Sequence, residues 1–194
     1  ARPDQRSDIG RTRTLPEGDV DRVRLAFLSC SSYAHGYFNS YAHVAARRDL
    51  DAVVHLGDYI YEYGAGEYGD PELDRVHRPP REIVSLQDYR VRHAQYKEDP
   101  DLIEAHRQHP FIVVWDDHEF ADNAYRDGAG NHADDGTEGD WFERREAAAR
   151  AYREWMPIRD PGPDSDPLIY RSFRFGQLAD LVMLDTRITG RDGQ

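Results

Sequence analysis

The sequence predicts an α/β fold built around a parallel sheet. Three short runs of apolar, β-favouring residues have the composition of buried strands: Val23–Leu28, Ala52–Leu56 and Phe111–Val114. Segments with helical patterns separate these runs, and this alternation is typical of parallel strands joined by right-handed crossovers. Each run ends in residues that can bind cations, and open α/β sheets place their sites at this carboxyl edge.

Residues 1–21 are predicted to form a linker ahead of the folded part, residues 22–194. The segment is polar and contains Gly10, Pro16 and Gly18, so it offers few apolar side chains to a core. The sequence opens without an initiator methionine. We therefore expect that a leader or an upstream domain has been removed.

A short helix and a long loop flank the second strand. Asn39 and Ser40 are the predicted cap of the helix Tyr41–Arg48, which completes a βαβ unit. The Gly- and Pro-rich segment Glu62–Glu82 has no periodicity and is a predicted loop. Loops of this length in compact domains are usually functional or mobile.

Three further helices are predicted from the residues that begin them. They are Leu86–Lys97 after the capping box of Ser85 and Asp88, Asp101–Gln108 after Asp99 and Pro100, and Trp141–Trp155 after Asp140. A loop, Pro161–Pro167, follows. Alternating residues around Gly176 then predict a hairpin of Leu168–Phe173 with Leu178–Leu184.

The composition favours one globular domain, or most of one, with an acidic surface. Of the 194 residues 39% are hydrophobic and 32% charged, and the formal net charge is −12. This charge argues against binding to nucleic acid through broad positive charge. It suits a protein that holds multivalent cations, although acidic surfaces mostly serve solubility. The acidic segment Asp127–Asp140 lacks the EF-hand spacing and is predicted to be a solvated loop.

The remaining composition excludes two structural classes. No stretch approaches the roughly 20 apolar residues of a membrane span. The single cysteine, Cys30, rules out an internal disulfide.

The ends of the first two strands carry candidate metal ligands. Gly57 allows a sharp turn, and the carboxylate of Asp58 directly after it could bridge two cations. Cys30 and Tyr61 also follow strands, although a lone cysteine is usually a small buried hydrophobe and a tyrosine usually a packing residue. A phenolate ligand would favour a hard, highly charged cation such as ferric iron.

The third strand runs into a dense group of charges, Asp116, Asp117, His118 and Glu119. Burying such groups is costly unless they are paired or bound to metal. His118 could bind metal or donate a proton to a leaving-group oxygen. Adjacent carboxylates do not suit a glycosidase, which needs two at a set separation. The alternative is that these residues cap neighbouring turns.

Together these motifs resemble the PhoD-like alkaline phosphatases, a family of metallophosphoesterases. The likeness covers roughly Gly10–Gln194. It rests on the segments Phe27–Ser31, Asp51–Glu62, Leu86–Pro110, Trp115–Glu119 and Ala179–Arg187.

The resemblance implies a calcineurin-like αββα sandwich, of which this chain supplies about the first half. Residues 22–194 would be the N-terminal part of the catalytic domain, and residues 1–21 the join from an upstream β-sandwich domain. The implied activity is hydrolysis of phosphate mono- and diesters, with phospholipase D-like hydrolysis as a variant, by a metal-activated hydroxide. The family also implies a secreted or periplasmic protein.

The resemblance further implies a site with Fe³⁺ and Ca²⁺. Cys30, Asp58 and Tyr61 would hold the ferric ion, with Asp58 bridging to calcium. Asp117 would take the position of the usual Asn ligand, and Asp116 could join it. His118 would stabilise the transition state or protonate the leaving oxygen. Tyr33, Tyr37, Tyr59 and Tyr63 are expected around the rim, where they would contact larger diesters.

The later Gly-Asp-x-His-type segment of the family does not occur in the sequence. We therefore expect the C-terminal remainder of the same protein to be present as a separate chain that completes the site around the phosphoester substrate. Two other interpretations stay open. One is a non-catalytic metal- or phosphoester-binding fragment that is inactive without this C-terminal half. The other is an acidic structural domain whose charged cluster only caps turns.

Overall fold

A computed structural model describes residues 8–133, 135–159 and 169–193 of the chain. Its main elements, in chain order, are β1 Leu25–Leu28, α1 Asn39–Ala46, β2 Ala52–His55, α2 Leu86–Tyr96, α3 Pro100–Gln108, β3 Phe111–Val113, α4 Trp141–Trp155, β4 Arg171–Phe175 and β5 Ala179–Met183. A single 3₁₀ turn, Tyr33–His35, lies between β1 and α1. No helix among the described residues has both the length and the apolar character that crossing a membrane requires.

A three-stranded parallel sheet in the order β1-β2-β3 forms the centre of the molecule. The middle strand, β2, is buried along its whole length, as expected for a parallel strand covered on both faces. The α/β class predicted from the sequence is confirmed. The predicted strands are one or two residues too long, because β1 begins at Leu25 rather than Val23, and β2 and β3 end at His55 and Val113, one residue before the apolar runs do.

Three helices begin where the sequence predicted. Ser85 and Asp88 form a complete capping box on α2, Asp99 accepts from two backbone N–H groups at the start of α3, and Asp140 accepts from Glu143 N on α4 at 3.0 Å. Because these side chains satisfy backbone donors that have no partner within the helix, they mark the helix starts in the sequence.

The start of α1 differs from the prediction. The helix begins at Asn39, so Asn39 and Ser40 lie inside it rather than capping it, and no side chain caps its first turn. Phe38 and Tyr41 are buried at this end and pack with ring centroids 5.4 Å apart. Aromatic packing therefore fixes the start of α1 in place of a polar cap.

The hairpin near the C-terminal end is antiparallel, as predicted, with Arg171 opposite Met183. Its turn contains Gly176 in the left-handed region, with φ +56°. The predicted start of the first strand at Leu168 and the predicted loop Pro161–Pro167 lie outside the described residues.

The segment 8–21 contains no helix or strand but is hydrogen-bonded to the body of the molecule. Arg11 N donates to Arg107 O at 2.7 Å, Arg13 pairs with Asp51 at 2.6 Å, and Gly176 N donates to Pro16 O at 3.1 Å. These contacts show that the segment follows the surface of the α/β body, and its role as a linker stays a prediction.

The buried side chain of Arg92, on α2, helps to hold the long loop after β2 against that helix. Its guanidinium donates to Arg78 O at 3.0 Å, to Pro79 O at 3.2 Å and to Tyr61 O. These carbonyls lack partners in regular structure, and a charged donor satisfies several of them at once. The loop is thereby fixed beside the carboxyl edge of the sheet.

Candidate metal centre

Two turns at the carboxyl edge of the sheet approach each other closely. Gly57, after β2, has φ +107°, and Asp58 also lies in the left-handed region at φ +53°. A Cβ on Gly57 would overlap the backbone nitrogen of Asp116 and lie 2.8 Å from the carbonyl carbon of Trp115. The absence of a side chain at Gly57 is therefore what allows the turn after β3 to reach the turn after β2.

Three of the predicted ligands meet at Asp58. One of its carboxylate oxygens, Oδ2, lies 3.4 Å from Cys30 Sγ and 3.3 Å from the Tyr61 hydroxyl. Cys30 is exposed rather than a buried hydrophobe, whereas Tyr61 and Asp58 are buried. The structure thus brings Cys30, Asp58 and Tyr61 together, as the sequence predicted.

Asp117 and His118 complete a cluster of possible ligands with Asp58. One ligand atom from each of these residues lies within 4.8 Å of the others. The other oxygen of Asp58, Oδ1, is buried and has no hydrogen-bond partner among the described residues. Burial, together with the charges of Asp117 and Asp116, raises the pKa of Asp58 although His118 opposes the shift.

This arrangement fits a cation. An unpaired buried carboxylate oxygen is costly, and a metal ion would satisfy it. The cluster offers two carboxylates and an imidazole, with a thiol and a phenol beside them, and all of these groups are metal ligands in proteins.

Asp116 points to a different partner. Its carboxylate lies 2.5 Å from Arg187 Nε, and a second Arg187 nitrogen lies 3.2 Å from Asp117 Oδ1. Asp116 is not part of the cluster formed by Asp58, Asp117 and His118. The structure therefore places Asp116 in an ion pair at the edge of the cluster.

His118 is held by a buried carboxylate, Glu62. The two meet at 2.8 Å between His118 Nδ1 and Glu62 Oε2, and the other Glu62 oxygen accepts from Asp122 N at 2.6 Å. Burial lowers the pKa of His118, but the hydrogen bond and charge of Glu62, with Asp58 and Asp117, outweigh it and raise that pKa to about 9. These carboxylates therefore favour the protonated form of His118.

Aromatic rings form one wall of the cluster. The Tyr61 ring stacks on His118 with centroids 4.3 Å apart, and Tyr68 stacks on Tyr61 at 5.8 Å. Tyr59, which the sequence placed at the rim, is fully buried, and its hydroxyl is bonded to His106 at 2.9 Å. That prediction was wrong because Tyr59 points to the opposite side of the turn from Asp58 and Tyr61, into the core.

Sequence reasoning missed Glu62 and Arg187 as members of the site. Each meets its partner across a large separation along the chain, 56 residues for Glu62 with His118 and 71 for Arg187 with Asp116. Their positions at the ends of two recognised motifs, Asp51–Glu62 and Ala179–Arg187, are the signal that could have identified them.

Comparisons with known proteins identify the family to which the chain is similar. The family model of the PhoD-like phosphatases matches residues 25–194. The chain is 44% identical over 188 residues to alkaline phosphatase D of Bacillus subtilis (strain 168), an alignment that covers 93% of this chain and 31% of that protein. It is also similar to a solved structure of PhoD, with a TM-score of 0.81 and 42% identity over 92% of this chain and 34% of that one. The chain thus spans about a third of the length of each relative.

Proposed function

The chain belongs to the PhoD-like phosphatase family, and on that premise we propose that it takes part in metal-dependent hydrolysis of phosphate mono- and diesters. The observation that carries the proposal is the cluster of Asp58, Asp117 and His118 at the carboxyl edge of the sheet, with one Asp58 oxygen left without a partner. Relatives named as phosphatases supply the reaction class.

The proposed ligands of a ferric ion are Cys30, Asp58 and Tyr61, with Asp58 and Asp117 as ligands of a calcium ion. Cys30 is exposed as a residue, but partial desolvation of its thiol, together with the charge of Asp58, raises the pKa of that thiol. Burial together with the charge of Asp58 raises the pKa of the Tyr61 phenol. Both groups are therefore protonated at neutral pH, and binding as thiolate and phenolate would release protons. When bound, the ions would polarise the phosphoryl oxygens and make a water molecule more acidic.

His118 is the proposed proton donor. Glu62 fixes its Nδ1 and keeps the ring charged, which leaves Nε2 as the nitrogen that can give a proton to the leaving-group oxygen. Glu62 is fully buried and accepts two further hydrogen bonds, from Asp122 N and Asn131 Nδ2. The orientation of His118 is thus supported by a carboxylate that is itself held in place.

Arg187 sets the charge balance beside the proposed ligands. Its guanidinium contacts both Asp116 and Asp117, so it offsets part of the repulsion among the carboxylates. Asp116 would then act by holding Arg187 against Asp117, and it would reach a metal ion only by giving up this pair.

The wider setting of the site is also a proposal. Because the chain spans about a third of the length of its relatives, residues beyond this stretch would complete the ligand set. An upstream domain joined through residues 1–21, phospholipase D-like hydrolysis, and a secreted or periplasmic location rest on family membership in the same way.

Hydrolysis of bis(p-nitrophenyl) phosphate and p-nitrophenyl phosphate tests the proposal. Asp58→Asn removes one charged oxygen while keeping the shape of the side chain, and we expect at least a roughly 100-fold loss of rate. Asp127→Asn is the control, because Asp127 is exposed and, among the described residues, forms its ion pair with Arg126. Equal rates for Asp58→Asn and the unsubstituted chain would contradict the proposal. Metal binding without any hydrolysis would favour the non-catalytic alternative.

A further inference from the structure

The side chain of Glu119 connects the two turns that carry the proposed ligands. It is fully buried. Its Oε2 accepts from Asp58 N at 3.1 Å and from Asp116 N at 2.8 Å, and its Oε1 accepts from Tyr59 N at 2.7 Å. Two of these donors belong to the turn after β2 and one to the turn after β3, so a single carboxylate joins both turns.

The peptide groups that Glu119 binds are adjacent to the proposed ligands. Asp58 N belongs to a ligand residue itself, and Asp116 N lies one residue before Asp117. The position of Glu119 is fixed in turn, because Phe120 N and Ala121 N both donate to Asp117 O, at 2.8 and 2.9 Å. Any displacement of the Glu119 carboxylate would therefore change the separation between Asp58 and Asp117.

We propose that Glu119 is a positioning residue of the metal centre, which sets the spacing between Asp58 and Asp117 and does not bind the metal itself. The inference rests on the proposed function. The Glu119 carboxylate already accepts three backbone hydrogen bonds, and it is not part of the cluster formed by Asp58, Asp117 and His118. Metal sites tolerate ligand displacements of only about 0.2 Å, and residues that orient ligands typically change metal affinity by roughly 10–100-fold.

The chemistry of the three donors requires a carboxylate at this position. All three groups are backbone N–H donors, and only an acceptor at both ends of the side chain can satisfy them. Glutamine at position 119 would turn an NH₂ group toward at least one N–H, which leaves that donor buried and unpaired. Whichever way the amide faces, the turn after β2 loses at least one of its two hydrogen bonds to the side chain at position 119, so the spacing of the two turns is held less firmly.

Isothermal titration calorimetry of the whole chain, with Mn²⁺ as the only metal, tests the inference. We expect Glu119→Gln to raise the dissociation constant for Mn²⁺ by about 10–100-fold. Asp88→Asn is the matched control. Asp88 is also a buried carboxylate that accepts from a backbone N–H, that of Ser85, but it lies in the cap of α2.

A purely structural role predicts a different pattern. In that case both variants would lower the melting temperature, and neither would change the Mn²⁺ dissociation constant, which would overturn the inference. Glu119→Asp keeps the charge on a shorter side chain. Its dissociation constant for Mn²⁺ tests the inference if the glutamine variant does not fold. We expect intermediate affinity for Glu119→Asp, and unchanged affinity in a folded aspartate variant would also overturn the inference.

The same titration separates this inference from the proposed function. If the unsubstituted chain binds no Mn²⁺, the metal centre itself is wrong and the role of Glu119 falls with it. If the unsubstituted chain binds Mn²⁺ and Glu119→Gln binds it equally well, only the role of Glu119 is wrong.

Discussion

At the scale of single residues, Gly57 shows how a backbone requirement supports the site. Its φ of +107° and the nearness of the Asp116 backbone leave no room for a Cβ. We expect Gly57→Ala to lower the free energy of unfolding by about 2–3 kcal/mol and to weaken metal binding, because the two turns must move apart. Chemical denaturation and metal titration measure the two effects.

Gly136→Ala is the matched control for this prediction. Gly136 has a similar φ of +81°, but a Cβ there would meet nothing within 4 Å. Its substitution should cost only the backbone strain, about 1 kcal/mol, and should leave metal binding unchanged. Equal effects of the two alanine variants on metal binding would show that the close approach at Gly57 does not matter.

The sequence predicted the meeting of Cys30, Asp58 and Tyr61 because all three follow strands of the same parallel sheet. Local order along the chain is enough for such a prediction. The sequence alone could not reveal the pairs Glu62–His118 and Arg187–Asp116. These depend on how a long loop and the segment after β5 return to the sheet, and no local pattern determines those paths.

At the scale of elements, the helices divide into those that the sequence locates well and one that it does not. The predicted bounds of α4 are those observed, and polar caps also mark α2 and α3. The start of α1 depends instead on the packing of Phe38 and Tyr41 against the rest of the molecule. Tertiary packing overrides local capping signals in such cases, and a single sequence does not reveal it.

The end of α2 carries the only lysine of the chain, Lys97. Its ammonium donates to the Tyr59 hydroxyl at 3.0 Å, and within the described residues no carboxylate lies within ion-pair distance of it. Burial lowers the pKa of Lys97 from 10.5 to about 8. The unfolded chain therefore binds more protons than the folded chain between these two values, and stability should rise with pH across that range.

We expect this rise to disappear in Lys97→Met. The free energy of unfolding of the unsubstituted chain, relative to the methionine variant, should increase by about 2 kcal/mol between pH 8 and pH 10.5. Urea denaturation of both proteins at several pH values measures this difference. Subtracting the value for the methionine variant also cancels the contributions of other groups that titrate between pH 8 and pH 10.5. A difference that is constant or that falls with pH would contradict the placement of Lys97.

At the scale of the whole molecule, the fold class followed from the order of elements, but the connections did not. Three apolar runs with helices between them were sufficient to predict a parallel sheet. The route of residues 62–82 over α2 depends on the contacts of Arg92 with several carbonyls, and the route of residues 8–21 depends on contacts with Asp51 and Arg107. Such long-range hydrogen bonds leave no periodic signal.

The acidic character of the chain has a local counterpart in the site. The net charge of −12 is concentrated in part on carboxylates that the fold brings together at the carboxyl edge of the sheet. Among the described residues, Arg187 is the one cation in the ion pairs of Asp116 and Asp117. Cations that bind the folded chain and not the unfolded chain would therefore stabilise it.

Elemental analysis of the purified chain is the most direct test of the metal centre, with Asp58→Asn analysed beside it. We expect about one equivalent of iron together with calcium in the unsubstituted chain, and loss of the iron in Asp58→Asn, because Asp58 would hold both ions. Equal amounts of bound metal in the two proteins would contradict a metal centre at Asp58.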